Sequence, residues 1–245
     1  MLQQTLSSET QSDSATTRSL GSRRRWTLLL RRFGWALVAV LSLAMAVWSW
    51  RFLLVDADVL YPGATRPEAV PSELHFHGLL RESWLRFAAH FVFGPIALAV
   101  GPFQFLSWLR ARRPRLHRVL GYVYAVSILI AGAASLLLAP TSFGGLVTHV
   151  GFGTLAVLWL VATGLAVLHA RARRFDVHRE WMLRSFALTF GAVTLRLWIG
   201  VFMASGHGFE ATYQVVAWLS WVPNLVLVEW WIALRHDRRR GALAA

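Results

Sequence analysis

The chain has 245 residues, of which 56% are hydrophobic, with 13 Trp and 15 Phe among them, and its mean hydropathy is +0.48. This composition is too apolar for an ordinary soluble domain and predicts a membrane protein. The net charge of +13 does not indicate nucleic acid, because the basic residues are all arginines in short clusters between apolar segments. The absence of Cys excludes disulfides, iron–sulfur clusters and thiolate chemistry.

We predict that residues 1–32 form a disordered, basic cytoplasmic tail. Ser, Thr and Gln dominate the first 20 residues, and the apolar residues there show no period. An apolar run follows at 33–55. The S-R-R-R-W sequence before it resembles a twin-arginine export signal, with a cleavage site near 44–46 as the alternative reading. The run reaches the ~20 residues that span a bilayer, which favours an uncleaved first helix.

Five further apolar runs complete a six-helix transmembrane domain over residues 33–245. Nineteen of the 25 basic residues lie in segments 18–32, 107–118, 170–179 and 235–245. The positive-inside rule therefore predicts that both termini are cytoplasmic. The outer segment 56–82 carries five acidic residues and two histidines and predicts a small irregular cap. The five runs are 84–106, 119–139, 146–169, 180–203 and 212–234.

Two stretches of the chain repeat one another, from His90 to Arg118 and from His149 to Arg179. Each begins with H-x-x-F-G and ends in an arginine cluster that contains a second histidine. Repeated parallel two-helix units imply a pseudo-two-fold axis along the membrane normal. We therefore predict an all-α polytopic membrane protein of six transmembrane helices, in which spans 2–5 form a pseudo-two-fold four-helix bundle.

This symmetry predicts two histidine pairs at two depths. His90 and His149 lie near the outer starts of spans 2 and 4, and His117 and His178 lie at the cytoplasmic starts of spans 3 and 5. Span 2 is then opposite span 4, and span 3 opposite span 5, so that paired imidazoles face one another. Two bis-histidine b-type haems, one near each membrane face, need these ligand pairs.

Glycines and arginines near the histidines extend the predicted haem sites. A porphyrin between helices needs missing side chains one turn from its ligand, and glycine follows three of the four histidines by four positions. Arginines are candidate partners of haem propionates or of an anionic substrate, although those in cytoplasmic loops need no role beyond topology. The predicted cofactor-binding residues are Arg86, Gly94, Arg118, Gly121, Gly153, Arg179 and Arg196.

Each histidine alone has a simpler explanation. A single histidine near a helix end commonly lies at the lipid headgroups or bonds to a nearby carbonyl. The repeat, depth and facing of all four together favour haem ligation. The other histidines have no repeat partner; they are His75, His77, His169, His207 and His236.

Four polar residues inside the spans predict contacts between helices. Arg184 and Glu229 reach a similar depth in spans 5 and 6 and predict an ion pair, because a charge within a span needs a partner. Gln104 and Asn224 predict polar bridges, with a quinone contact as an alternative.

Several motifs in spans 2–6 resemble a family of predicted bacterial membrane proteins. G-P-F-Q-F (101–105), H-R-V-L-G-Y-V-Y (117–124), H-R-E-W-M-L-R-S-F-A-L (178–188), T-L-R-L-W (194–198) and W-V-P-N-L (221–225) are similar to the domain-of-unknown-function family DUF2306. That resemblance implies a bacterial inner-membrane location and little about activity. The histidine layout is also similar to that of b561-type dihaem cytochromes, which move electrons across membranes; likeness of layout does not by itself establish function.

Three functions compete on these observations. The leading hypothesis is transmembrane electron transfer through two haems, with a small-molecule electron donor or acceptor, or a quinone, as partner. The second is a cofactor-free transporter or proton relay, since Gly94-Pro95 and Gly101-Pro102 could break span 2 near the midplane. The third is a scaffold without cofactor. The bilayer is the expected surrounding, nucleic acid is not expected, and a homodimer is a further candidate.

Overall fold

The structure is a computed structural model that describes residues 26, 29–30 and 32–244, and these form helices and turns without a β-strand. The chain divides into two units, Met1–Val40 and Leu41–Ala245, and every contact discussed below lies within the second. The predicted disordered tail falls largely outside the described residues. Those of its residues that are described, 26, 29, 30 and 32, are helical.

Six segments of the described chain are long and apolar enough to cross a membrane. This confirms the predicted all-α, multi-pass fold. Spans 3, 5 and 6 run several residues beyond their predicted limits, because arginine is a good helix former and the helices continue into the arginine clusters. Spans 1–6 are Arg32–Leu54, Trp84–Phe105, Pro114–Thr141, Leu146–Arg171, Phe175–Ala204 and Phe209–Gly241.

Most spans contain one long helix, and spans 1 and 6 contain two. Short 3-10 segments follow the long helices of spans 2 and 3, and a third lies in the cap. The helices are α1 (32–49), α2 (Arg51–Leu54), α3 (Ala57–Leu60), α4 (Pro71–Glu82), α5 (Trp84–Val100), α6 (Ser107–Arg112), α7 (Pro114–Leu138), α8 (Leu146–Arg171), α9 (Phe175–Ala204), α10 (Phe209–Leu219) and α11 (Val222–Ala244). The 3-10 segments are Pro62–Thr65, Gly101–Phe105 and Ala139–Thr141.

Spans 2–5 form a ring in which each span packs against the next. Helix α5 packs along α7, α7 along α8, α8 along α9, and α9 returns to α5. Spans 2 and 4 therefore occupy one diagonal of the bundle and spans 3 and 5 the other, as the repeat predicts. Span 6 lies outside the ring, because α10 packs on α8 and α9, and α11 packs on α9.

Glycine allows two of these helix contacts to be close. A Cβ on Gly132 of α7 would lie 2.7 Å from Leu160 Cδ2 on α8, and a Cβ on Gly101 would lie 2.5 Å from the ring of Phe186 on α9. Helices in lipid associate through close packing, because the surrounding lipid is as apolar as their side chains. Small residues at these two points therefore help to fix the ring.

A buried hydrogen-bond network joins spans 3, 4 and 5. The Tyr124 hydroxyl lies 2.9 Å from Ser185 Oγ and 3.0 Å from Thr189 Oγ1. Trp159 Nε1 donates to Thr189 Oγ1 over 2.8 Å. The hydroxyl oxygens of Thr163 and Ser185 are 2.7 Å apart. All five side chains are buried, so the network satisfies their polar atoms and fixes the rotation of three spans.

Span 6 is broken near its middle by a turn at residues 220–221. Pro223 stands in the first turn of α11, where its missing N–H is tolerated but would interrupt a continuous helix. The Ser220 carbonyl at the break accepts hydrogen bonds from Thr194 Oγ1 and Asn224 Nδ2. Asn224 also donates to Thr194 on α9 over 3.1 Å, so the predicted polar bridge from Asn224 to another helix is confirmed, and it joins spans 5 and 6.

The two ends of the bundle have different chemistry. At one end, the cap face, His75 Nε2 lies 2.8 Å from the Thr141 carbonyl, and Phe76 packs against Phe143. The other end, the arginine face, holds the arginine clusters around residues 110–118, 171–179 and 235–240. The cap face is the predicted outer side, and this orientation stays a prediction.

The cap, residues 56–82, is more regular than predicted, since it contains α3 and α4. Asp58 joins the two helices, accepting hydrogen bonds from His77 Nε2 over 2.6 Å and from Arg81 Nη2 over 3.0 Å. The hydrogen bond from His77, with help from the charge of Arg81, holds the pKa of the Asp58 carboxyl below its usual value. The charge on Asp58 therefore stabilises the cap.

Candidate functional site

The two histidines of the arginine face, His117 and His178, lie in the first turns of α7 and α9 and within electrostatic range of each other. His178 Nδ1 lies 2.8 Å from the carbonyl of Ala166 on α8. A carbonyl only accepts, so Nδ1 carries the proton and Nε2 is left with a free lone pair. His117 Nδ1 is buried and has no hydrogen-bond partner among the described residues.

Gln104 and Arg110 border the same corner of the bundle. Gln104 is only 5% exposed, and its Nε2 has no hydrogen-bond partner in the described part of the chain. Its Oε1 lies 3.5 Å from where a Cβ on Gly121 would stand, one helical turn beyond His117. The predicted bridge from the Gln104 side chain is therefore not formed. Arg110 donates to the Gln104 backbone carbonyl over 3.3 Å and interacts electrostatically with His117.

Sequence reasoning missed Arg110 and the special position of Gln104. The available signal was that both follow Gly101-Pro102, which turns the chain at the end of span 2. A buried polar atom without a partner costs about 1–3 kcal/mol. Two such atoms, His117 Nδ1 and Gln104 Nε2, lie in this layer, which makes it the candidate site for an added group.

The cap-face histidines are bonded differently. His90 Nδ1 lies 2.8 Å from Ser135 Oγ, and the Ser135 hydroxyl donates its own proton to the carbonyl of Ala131. His90 therefore donates through Nδ1, and its Nε2 is free. His149 Nε2 lies 2.9 Å from the Ser142 carbonyl, so in His149 the free nitrogen is Nδ1. No hydrogen bond joins His90 to His149 within the described chain.

The three glycines that follow paired histidines face protein atoms at ordinary contact distance. A Cβ on Gly94 would lie 3.9 Å from His90 Cε1, and a Cβ on Gly153 would lie 3.7 Å from the Cβ of Ala139. Gly121 faces Gln104, as described above. Their predicted role as clearance for a porphyrin stays a prediction.

The four predicted arginines occupy distinct surroundings. Arg86 and Arg118 are exposed, whereas Arg179 is half-buried and interacts electrostatically with Arg110 and Asp176. Arg196 points into the cap-face layer, where it interacts electrostatically with His90. Arg196 thus interacts with a paired histidine, and Arg179 is connected to the arginine-face layer through Arg110, which interacts with His117.

The predicted ion pair between spans 5 and 6 is confirmed. Arg184 Nε and Nη2 donate to the two carboxylate oxygens of Glu229 over 2.5 and 2.9 Å. The side chains are 18% and 47% exposed, respectively. The Arg184 guanidinium also lies 4.6 Å from the ring centroid of Trp181, so the pair is held in a two-point geometry on the outside of the ring.

The residues of the arginine-face layer suit a bis-histidine haem by donor chemistry. A haem ligand needs one free imidazole nitrogen, and its other nitrogen is commonly held by a carbonyl. His178 meets both conditions. His117, which lies within electrostatic range of His178, has a buried nitrogen without a partner in the described chain. In the cap-face layer His90 meets both conditions, whereas His149 must release the Ser142 carbonyl or use Nδ1. No cluster of three or more metal-binding side chains occurs among the described residues.

The chain was compared with known proteins. A family model described as "Predicted membrane protein (DUF2306)" matches residues 87–232. No curated protein and no solved structure matches the chain. The matched range includes both histidine layers and the Arg184–Glu229 pair, while the likeness to b561-type cytochromes stays one of layout.

Proposed function

The chain belongs to the DUF2306 family of predicted membrane proteins, and from the chemistry of its histidines we propose that it carries electrons across the membrane through two b-type haems. His117 and His178 hold one haem at the arginine face. His90 and His149 hold the other at the cap face. When bound, haem supplies the one-electron chemistry, and the chain supplies ligands, orientation and charge.

The observation that carries this proposal is the arginine-face layer. Two imidazoles lie within electrostatic range of each other, His178 has its Nδ1 held by a carbonyl, and His117 has a buried nitrogen without a partner in the described chain. A structural histidine satisfies its buried nitrogens. A free buried nitrogen on His117, within electrostatic range of an imidazole that presents a lone pair, supports the assignment of both residues as axial ligands.

Charges around this layer suit the propionates of a haem. Arg110 and Arg179 interact electrostatically with each other and lie near the histidine pair. Cations held close together without enough acids favour an added anion. Arg118 is exposed, and Arg86 lies at the cap-face end of α5. We therefore propose Arg110, and not Arg118, as the propionate partner at the arginine face.

The two layers are far apart along the bundle, which supports two cofactors and not one. Ser135, the partner of His90, follows His117 by 18 residues on α7, which is about 27 Å of helix. Between the layers lies the buried network of Tyr124, Ser185 and Thr189. The network packs the centre of the ring, so each haem is confined to its own end of the bundle.

A pyridine haemochrome assay on protein produced with ample haem tests the proposal. We expect two low-spin b-type haems per chain. His117→Ala should lose one of them, and His207→Ala, which changes a cap-face histidine outside both pairs, should keep both. Folded, monodisperse protein without haem under these conditions refutes the proposal.

Translocation of an ion or small solute is a second candidate, favoured by the break in span 6. Broken helices expose backbone carbonyls that bind cations in transporters. Here the Ser220 carbonyl is occupied by Thr194 and Asn224, so the break is already satisfied by side chains. An Asn224→Ala variant that abolishes uptake into vesicles but keeps both haems would favour this second function.

A further inference from the structure

Two guanidinium groups at the cap face converge on one indole ring. Arg51 Cζ lies 3.9 Å and Arg196 Cζ lies 5.6 Å from the ring centroid of Trp48. Trp48 and Arg51 both belong to span 1 and Arg196 belongs to α9, so two spans bring these groups together. Like charges held close to one another are unfavourable unless an anion lies with them.

Neither arginine has a carboxylate partner among the described residues. The ion pairs of that part of the chain use other arginines and histidines. The hydrogen bond of the Arg196 side chain in the described chain goes to the Ala192 carbonyl of its own helix, over 3.0 Å. A guanidinium has five N–H donors, so most donors of Arg196 remain available for a ligand.

The nearest cap acids do not neutralise this pair. Asp58 is bound by His77 and Arg81. Glu73 lies within electrostatic range of Tyr61, but it forms no ion pair with Arg51 or Arg196 among the described residues. The two guanidinium groups at Trp48 are therefore not directly paired with a carboxylate of the cap.

Two tyrosines complete the surroundings of Arg196. Tyr61 and Tyr213 both lie within its electrostatic range. Tyr61 stacks on Phe76 with centroids 6.0 Å apart, and Tyr213 stacks on Phe209 at 5.4 Å. Burial raises the pKa of the Tyr61 hydroxyl, so Tyr61 is neutral at physiological pH and is able to donate its proton. Neither hydroxyl has a hydrogen-bond partner among the described residues.

We propose that Arg51, Arg196, Tyr61 and Tyr213 form a binding site for an oxyanion, a carboxylate or phosphate supplied from outside the chain. Guanidinium forks match these groups in pairs of charge-assisted hydrogen bonds. The aromatic rings of the cap form an apolar wall beside them, which suits a ligand with an apolar or planar body. The site stands independently of the proposed haems, although Arg196 also interacts with His90 and so connects a bound anion to the cap-face layer.

The test is a calorimetric titration of the full chain in uncharged detergent with benzoate and with inorganic phosphate; benzamide, which lacks the charge, is the control ligand. We expect saturable binding of an anion and none of benzamide. Arg196→Gln and Arg51→Gln should each weaken binding about tenfold or more, since each removes charge-assisted hydrogen bonds. Arg66→Gln, at an exposed arginine of the cap that belongs to neither proposed site, should change affinity less than about twofold.

A competition experiment identifies the source of the anion. Competition between benzoate and an anionic phospholipid, added to the same detergent, would assign the site to a lipid headgroup, and its absence would assign it to a soluble ligand; both support an oxyanion site. Binding that appears only in protein produced without haem would make a propionate the natural counter-ion and overturn the proposal. Absence of binding, or equal binding by wild type, Arg51→Gln and Arg196→Gln, also overturns it. Arg51 is exposed, so its variant remains informative if Arg196→Gln does not fold.

Discussion

The cap-face and arginine-face histidine layers are equivalent in the sequence repeat but not in their bonding. At the cap face, Ser135 and the Ser142 carbonyl each bind a nitrogen of a paired histidine. At the arginine face, His117 and Gln104 keep buried polar atoms without partners in the described chain. The repeat therefore sets where each histidine lies along its span, whereas the individual hydrogen-bond partner of each histidine decides which nitrogen is available.

The largest expected effect is the loss of one haem when either histidine of a layer is removed. His117→Ala and His178→Ala should each remove the same haem, and His90→Ala and His149→Ala the other, so that each variant loses about half of the haem absorbance. Since His117 and Gln104 of the arginine-face layer keep buried polar atoms without partners in the described chain, we expect this layer to fill first when haem is limiting. Redox titration of the four variants measures the grouping.

A different grouping would contradict the bundle even if haem is bound. If His90→Ala removes the same haem as His117→Ala, ligands pair along neighbouring spans 2 and 3 and not across the diagonals. If the cap-face haem fills first, the unpaired atoms of His117 and Gln104 do not mark the better site. His207→Ala serves as the control in both experiments.

The next effect concerns ion pairs at the arginine face. Arg184 and Glu229 form a two-point pair with the arginine largely buried, so we expect a coupling of about 1–3 kcal/mol in a double-mutant cycle, between the values of exposed and buried pairs. The variants are Arg184→Gln, Glu229→Gln and both together. Unfolding in mixed micelles measures the free energies.

The matched control is the Arg239–Asp176 pair of the same face, whose nitrogen and oxygen lie 3.3 Å apart with side chains 53% and 73% exposed. We expect its coupling to be below about 0.5 kcal/mol. Additive losses at Arg184 and Glu229 would show that the two residues act at separate places.

Much of the fold could be predicted from the sequence because its causes are periodic. Apolar runs of membrane length gave the spans, and the repeat placed spans 2 and 4 on one diagonal. The Arg184–Glu229 pair followed from depth alone, since a rise of ~1.5 Å per residue puts both charges at one level.

The features that the sequence did not predict depend on contacts that follow no repeat in the sequence. The available nitrogen of His149 is set by the Ser142 carbonyl, which belongs to a turn whose path is not encoded by hydropathy. Arg196 meets Trp48 only because of the rotation of span 1, which has no repeat partner. Tyr124 and Ser185 are single polar residues in apolar runs, and their meeting across the bundle required the ring to be known.

A smaller effect concerns the charge of Arg196 and the midpoint potential of the cap-face haem. Arg196 acts on His90 from the cap-face layer, and a nearby positive charge favours the reduced form of a haem. Arg196→Gln should lower the midpoint potential of the cap-face haem by the equivalent of about 1–2 kcal/mol, the Coulomb energy at ~10 Å with an effective dielectric of ~20. The arginine-face haem should be unchanged. An equal shift of both potentials, or none, would rule out this local role. Arg112→Gln, at an exposed arginine of the arginine face, is the control for a charge distant from the cap-face haem.

The smallest effect is confined to the cap. The His77 hydrogen bond and the Arg81 charge lower the pKa of Asp58 in the folded protein. The ionised carboxylate is thus the form that the fold prefers, so its contribution to stability is present above the unfolded pKa of about 3.9 and is lost as the pH falls through the lower folded value. We expect the protection of the α3 and α4 amides, which is their exchange relative to the intrinsic rate at each pH, to fall below about pH 4 and to be independent of Asp58 between pH 5 and pH 7. Asp58→Asn should remove this acid-dependent component while the exchange of α7 and α8 amides stays as in the wild type. If the variant and the wild type loosen identically on acidification, another carboxylate of the cap controls its stability.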